Sequence, residues 1–202
     1  MASVSRFPFD FPVRGFDLLQ GTVPHTAFVI RIRIKDSSYP VWRLVHVDAD
    51  GTLADLQRIL IKVIGWSFKY PYYLRIDETK YTLPEFNIKH TLNANNYKIS
   101  KYLQLKKIYS LVYDYEGDAW VHEFIVKKIY DNDLSKLPCC VRGAGACPPE
   151  RCGGVRELTE IVEALFDEDN PNHIEYSNKY LKTFDVTKFE IRPLNKSLLE
   201  NG

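Results

Sequence analysis

All four cysteines of the chain fall in one short stretch: Cys139, Cys140, Cys147 and Cys152. The last two lie in "ACPPERCGG" (146–154), among prolines and glycines that allow a tight turn. Thiolates are good zinc ligands, and a structural zinc site closes on four donors. Cys140-x6-Cys147-x4-Cys152 supplies three, and Cys139 or His122 could supply the fourth. Against this, adjacent Cys139 and Cys140 do not easily share one ion, and there is no C-x-x-C knuckle. The same cysteines also read as packed free thiols or as a disulfide. A thiolate nucleophile is another chemistry for them, with His122 as base and Asp114 or Asp118 to orient it. No local signature supports that pair.

Asp118-x-Trp120-x-His122 is a second constellation. Alternate residues of a strand share a face, so the three would line up in a row. A carboxylate beside an imidazole can orient it and raise its basicity, as general-base or metal chemistry requires. The plainer reading has Asp118 in a turn, Trp120 in the core and His122 hydrogen-bonded. Two further stretches are rich in aromatic residues. "YKISKYLQLKKIY" (97–109) interleaves Lys98, Lys101, Lys106 and Lys107 with Tyr97, Tyr102 and Tyr109, which suits phosphates and bases or simply a solvated surface. "FKYPYYLRI" (68–76) could line a groove for a peptide or an aromatic ligand, or pack against the core. "RGAGAC" lacks the Lys-Ser/Thr of a phosphate-binding loop, and H-E-x-x-H is absent.

These groups need elements to hold them. "FVIRIRI" and "VWRLVHV" alternate apolar and polar residues around the turn "KDSSYP", so residues 27–47 read as a β-hairpin. Thr52-Leu53-Ala54-Asp55 resembles a capping box. The helix it opens buries Leu53, Leu56, Leu60, Val63 and Ile64 and stops at Gly65. "YYLRI" (72–76) is the next strand, residues 77–98 read as irregular, and a short helix runs over 99–105. "KIYSLVYDY" and residues 119–130 are two strands around the turn "EGD". A cysteine-rich loop is expected over 131–153. The helix after it shows Leu158, Ile161, Val162, Leu165 and Phe166 on one face. The expected fold is α+β, with a β-grasp-like (ubiquitin-like) hairpin–helix opening, additional antiparallel strands and C-terminal helices. Such a topology carries no activity with it.

The chain has 202 residues and is 45% hydrophobic, enough for a substantial core. No apolar run reaches the roughly 18 to 20 residues that span a bilayer, so no membrane association is expected. The N-terminus shows no uninterrupted apolar run of a signal peptide, and a cytoplasmic location follows as the expectation. The net charge of +1 hides an asymmetry: residues 1–110 carry 16 Lys/Arg against 9 Asp/Glu, and residues 111–202 carry 11 against 17. A basic face for an acidic partner or nucleic acid is one reading, and mutual neutralisation within one fold is the other.

The order of motifs resembles the Ri-plasmid ORF-three-like family, whose members are labelled as mobile-element passenger or resolvase proteins. The likeness covers roughly residues 25–190. It rests on "PVWRLVHVDADGTLADLQRILIKVIGW", on "YDYEGDAWVHEF", and on "ACPPERCGG" with the following Glu157, Leu158, Glu163, Ala164 and Leu165. Members commonly show His-x-His after the Gly-Trp, where this chain has Tyr70-Pro71-Tyr72. They tend to read Tyr-Asp-Phe-Gly-Asp, where this chain has Tyr113-Asp114-Tyr115-Glu116-Gly117-Asp118. The resemblance implies a family of unknown function, without an activity to carry over.

Three segments are expected. Residues 1–24, with Phe7-Pro8-Phe9-Asp10-Phe11-Pro12, form an extension packed on the body. Residues 25–190 form a single α+β domain, and 191–202 a C-terminal tail. The expected role is a non-catalytic interaction or regulatory module with an unknown protein partner. A nucleic-acid association stays open, though the net charge does not support it. The alternative is a metal- or thiol-dependent hydrolase-like enzyme using His122, Asp118 and the cysteine loop. In that reading the metal would be zinc on Cys140, Cys147, Cys152 and His122.

Overall fold

The computed structural model of the chain describes residues 25–132 and 137–200. The N-terminal extension, residues 1–24, lies outside the described residues. The hairpin forms as its alternation requires: β1 (His25–Ile34) pairs antiparallel with β2 (Trp42–Asp48). Ile30, Ile32 and Ile34 point into the core, while Arg31 and Arg33 face solvent. The helix α1 (Leu53–Ile64) opens on a complete capping box. The Asp55 N–H donates to Thr52 Oγ1 at 3.1 Å, and the Thr52 N–H donates to Asp55 Oδ2 at 2.9 Å. The helix ends at Gly65, whose φ of 120° is one that side chains avoid.

The chain continues through β3 (Tyr72–Ile76), β4 (Thr79–Thr82), β5 (Thr91–Asn93) and a one-turn helix α2 (Ile99–Tyr102). Next come β6 (Ile108–Tyr113), β7 (Trp120–Asn132) and β8 (Cys139–Ala144). Three helices close it: α3 (Gly154–Phe166), α4 (His173–Tyr180) and α5 (Ile191–Leu199). The eight described strands form one sheet in the order β5-β4-β3-β6-β7-β1-β2-β8. Neighbours are antiparallel except β4 and β5, which run parallel. The architecture is therefore mixed α+β.

One face of this sheet carries the core. Ile30, Ile32, Val45, Leu74, Leu111, Phe124 and Val126 join Leu56, Leu60 and Ile64 of α1 and Leu158 and Ile161 of α3 in one buried cluster. Trp42, Leu44, Ile108 and Ile125, which point from the opposite face, do not belong to that cluster. Three details depart from the sequence reading. Residues 77–98 hold two short strands, because Tyr81 and Leu83 are buried and carry the sheet past β3. The segment expected as a cysteine loop, 131–153, contains β8, which pairs with β2 and takes the ladder that β2 would otherwise expose. Residues 191–199 of the expected tail form α5, anchored by Leu198 in the core and by Asn195, which hydrogen-bonds both backbone groups of Cys140.

Candidate functional site

The three sequence motifs meet at one end of the sheet. Trp66, just past α1, stacks on Tyr113 of β6 with ring centroids 4.9 Å apart. Its other neighbour is Trp120 of β7, at 5.3 Å. The cysteine loop is tied onto this stack by oxygen atoms. Glu150 accepts from the Ser67 N–H at 2.9 Å, from Ser67 Oγ at 2.7 Å and from the Tyr113 hydroxyl at 2.6 Å. Burial, then the Glu150 hydrogen bond, pushes the Tyr113 hydroxyl up, and the same donors hold the Glu150 carboxyl below its ordinary value despite burial. Arg151 reaches Asp114 with Nε–O 2.9 Å, and its guanidinium lies over the Tyr70 ring at 4.3 Å. Asp114 is only 1% exposed and Arg151 is 49% exposed, so this half-buried ion pair ties the cysteine loop to the β6–β7 turn.

The residues singled out for catalysis are placed as follows. His122 is fully buried on β7. Its Nε2 accepts from the Trp66 indole N–H at 2.9 Å, and its Nδ1 lies 3.1 Å from the Leu111 carbonyl. Both ring nitrogens are thus spent inside the protein, and burial holds its pKa down at about 4. Asp118 does not reach His122. The strand begins only at Trp120, after Ala119 turns with a φ of 51°, so the alternation does not extend back to Asp118. Asp118 instead accepts from the Gly153 N–H at 3.2 Å and helps hold the cysteine loop. Tyr70 is half-buried under Arg151, and Tyr72 is in the core beside Phe86, at 4.6 Å.

All four cysteines are free thiols. Cys139 and Cys140 lie on β8, and the Cys140 thiol donates to the Arg142 carbonyl at 3.4 Å. Cys147 packs beside Gly65, and Cys152 is buried just before α3. Burial pushes every one of the four thiols up, Cys152 to about 11. An activated thiolate needs the opposite shift. Among the described residues, no group of three or more His, Cys, Asp or Glu is arranged to hold a metal ion.

Sequence reasoning missed Arg43. It sits on the buried parity of β2, between Val41 and Val45, and is 2% exposed. Its guanidinium donates to five carbonyls: Val63 and Ile64 at the end of α1, Trp42, Ala144 and Gly145. Phe189 covers it at 3.8 Å. The readable signal was a charge at a core position of an alternating strand.

The other face of the sheet is a different surface. By register, one row across it runs Lys80–Arg75–Ser110–Glu123–Arg33–Trp42, and another runs Ile108–Ile125–Arg31–Leu44–Arg142. Ile108 is 63% exposed. Arg31, Lys80 and Lys128 lie over the rings of Trp42, Tyr73 and Tyr130, at 5.1, 4.9 and 5.5 Å. The tyrosines of residues 97–109 are not on this face as a platform. Tyr97 and Tyr102 pack on Tyr81 and on each other, and Lys107 is paired with Asp77 at 2.6 Å. A separate groove of about 920 Å³ opens beside α1, and Phe68 and Tyr72 line it.

The chain belongs to the plasmid pRiA4b ORF-3-like protein family, whose sequence model matches residues 26–193. In solved structures, it is similar to a protein of unknown function from Methanosarcina mazei Go1. That crystal structure is 22% identical with a TM-score of 0.75, covering 85% of this chain and 98% of that one. The likeness is one of fold alone. No curated protein matches the chain. Family and structural neighbour are both of unknown function, and neither brings a catalytic role. Among the described residues, no helix is long and apolar enough to cross a membrane.

Proposed function

We propose that this protein is a non-catalytic binding module whose working surface is the open face of the sheet, and that its ligand is single-stranded nucleic acid. One observation carries the reading. Six cations, Arg31, Arg33, Arg75, Lys80, Lys128 and Arg142, share that face by register with two strand carboxylates, Glu123 and Asp48. Arg33 pairs with Glu123 at 2.6 Å and Arg75 with Glu78 at 3.1 Å, which leaves four of the cations outside these pairs. The net charge hides this because most of the 26 acidic residues lie off this face. Trp42, Tyr73 and Tyr130 interleave with the cations. Bases stack on aromatic rings and on guanidinium planes, and phosphates follow the charge. From β4 to β8 the face spans about 29 Å at the usual strand spacing of about 4.8 Å. That is enough for a short run of nucleotides, since such sites take roughly 4 to 16.

The hydrolase reading asks for an imidazole nitrogen that is available and a thiol of lowered pKa, and His122 and the four cysteines offer neither. We read the β1–β2–α1–β3 opening as β-grasp-like, on the support of its hairpin–helix–strand order. A cytoplasmic location is supported by four cysteines that are all free thiols, as a reducing compartment keeps them.

The test is fluorescence anisotropy of the full chain with labelled twelve-nucleotide uridine and thymidine strands, in low salt. Binding that weakens several-fold in Trp42→Ala and in Arg31→Gln is the expected result. No binding to any single strand at low salt ends the nucleic-acid reading and leaves the face to a protein partner.

A further inference from the structure

The groove beside α1 is an apolar concavity that the sheet face does not explain. Ile59, Phe68, Tyr72, Leu83, Phe86 and Leu198 give it an apolar lining, rimmed by Arg58 and Lys62 and by the carboxylates Asp48, Asp55 and Glu85, with Arg58 paired to Asp55 at 3.4 Å. Phe68 is 38% exposed there. Its volume of about 920 Å³ lies within the roughly 300–1,000 Å³ of pockets that enclose sizeable ligands. An apolar groove of this size needs an occupant to explain it, and the chain itself supplies one.

We propose that the groove is the docking site of this chain's own segment Phe7-Pro8-Phe9-Asp10-Phe11-Pro12. The first argument is where the described chain begins. The Thr26 carbonyl accepts from the Ala49 N–H at 2.9 Å, and Ala27 pairs with Asp48. Asp48 and Gly51 line the groove. The described chain therefore begins beside the groove's edge. Phe11 precedes His25 by 14 residues, a reach of up to roughly 46–50 Å when extended. A short tether holds its segment at about millimolar effective concentration, which a second copy or a separate peptide would have to match.

The second argument is chemical. Prolines at 8 and 12 prevent a helix and favour an extended segment. In an extended segment alternate side chains share a side, so Phe7, Phe9 and Phe11 present three rings together. The groove offers Phe68, Tyr72 and Phe86 to meet them, and aromatic pairs favour edge-to-face contact of the kind already seen between Tyr72 and Phe86. The docking is independent of what the sheet face binds.

The experiment places the photo-reactive analogue benzoylphenylalanine at position 9 of the full chain. The expected product is a cross-link within one chain to peptides spanning 58–72 or 83–88, several-fold weaker when Phe86→Ala is added. Amide exchange supplies a second readout. Phe7→Ser, Phe9→Ser and Phe11→Ser together should speed exchange over 83–88 several-fold while leaving β6 and β7 unchanged. Cross-links between chains would assign the groove to a second copy and overturn the proposal. Cross-links to the open sheet face, or unchanged exchange over 83–88, overturn it as well.

Discussion

The Trp66 indole N–H donates to His122 Nε2 at 2.9 Å, and that bond decides what the histidine can do. An indole nitrogen is a donor only, so Nε2 must be the acceptor and Nδ1 carries the proton toward the Leu111 carbonyl. The ring is a neutral core residue with no lone pair left over. Its folded pKa of about 4 lies below the unfolded value near 6.5. Between those values the unfolded chain binds more protons, so stability falls as pH drops through this window. The full effect is on the order of 3 kcal/mol, complete near pH 4. Thermal unfolding from pH 7 to pH 4 should show this loss, and His122→Gln should flatten it by up to one proton. An unchanged slope in the variant would assign the pH dependence to other groups.

Among the described residues Arg43 has no carboxylate partner, and five carbonyls replace one. Two of them, Val63 and Ile64, are at the C-terminal end of α1, where a cation also meets the helix dipole. Burial pulls its pKa down to about 10, so it stays charged at neutral pH. A lysine cannot reproduce the planar fork. Arg43→Lys should therefore destabilise by about 3 kcal/mol or more, since several buried carbonyls lose their donor. Urea unfolding at pH 7 checks this, and a loss under about 1 kcal/mol would mean that the five bonds do not hold the helix end.

How far the sequence carries depends on whether a signal is local. The hairpin, the capping box at Thr52 and Asp55, and the stop at Gly65 are written in consecutive residues, and the structure has all of them. β8 was not legible, because "CCVRGA" has no alternating pattern and pairs only because β2 presents its edge. The role of Asp118 was misleading for a related reason. Its spacing from His122 suits a strand, but the positive φ of Ala119 interrupts the strand before Trp120. Trp66 and His122 are 56 residues apart, and no spacing rule connects them. The open face could be half read, since Arg31 and Arg33 alternate with isoleucines, but its other cations arrive from four more strands.

The cysteine loop is anchored by Glu150, Arg151 and the Gly153 N–H rather than by sulfur. Glu150→Ala should cost about 1–2 kcal/mol, because the Tyr113 hydroxyl and the Ser67 donors lose a charged acceptor at a partly exposed site. A strong chelator should leave the melting temperature unchanged, and denatured protein should titrate four thiols. A sharp fall in melting temperature on chelation, matched by Cys147→Ser, would instead make the loop a zinc site.

The cavity-free contacts of Gly145 make a sharper backbone test. Its φ is 75°, and an added Cβ would fall 2.3 Å from the Pro40 carbonyl oxygen. Backbone cannot move aside as a flexible side chain can. Gly145→Ala should therefore destabilise more than Gly65→Ala, where the Cβ would meet the Cys147 side chain at 2.8 Å. Both should exceed the roughly 1 kcal/mol of a simple left-handed penalty. Equal losses in chemical denaturation would show that the β8 turn relaxes away from Pro40.

Salt dependence separates charge from stacking on the open face. For a single strand, the logarithm of affinity falls with the logarithm of salt concentration at about 0.7 per phosphate neutralised. Arg31→Gln and Arg142→Gln each remove one exposed cation from the row that also holds Leu44 and Ile125. Each should lower the slope by about 0.7, and the double variant by about 1.4. Trp42→Ala should leave the slope nearly unchanged while weakening binding by about 1–3 kcal/mol, the value of one stacked base. A parallel loss of slope in Trp42→Ala would mean that the ring only positions Arg31, which lies over it at 5.1 Å. Slopes untouched by either arginine would move the phosphate path off this face altogether.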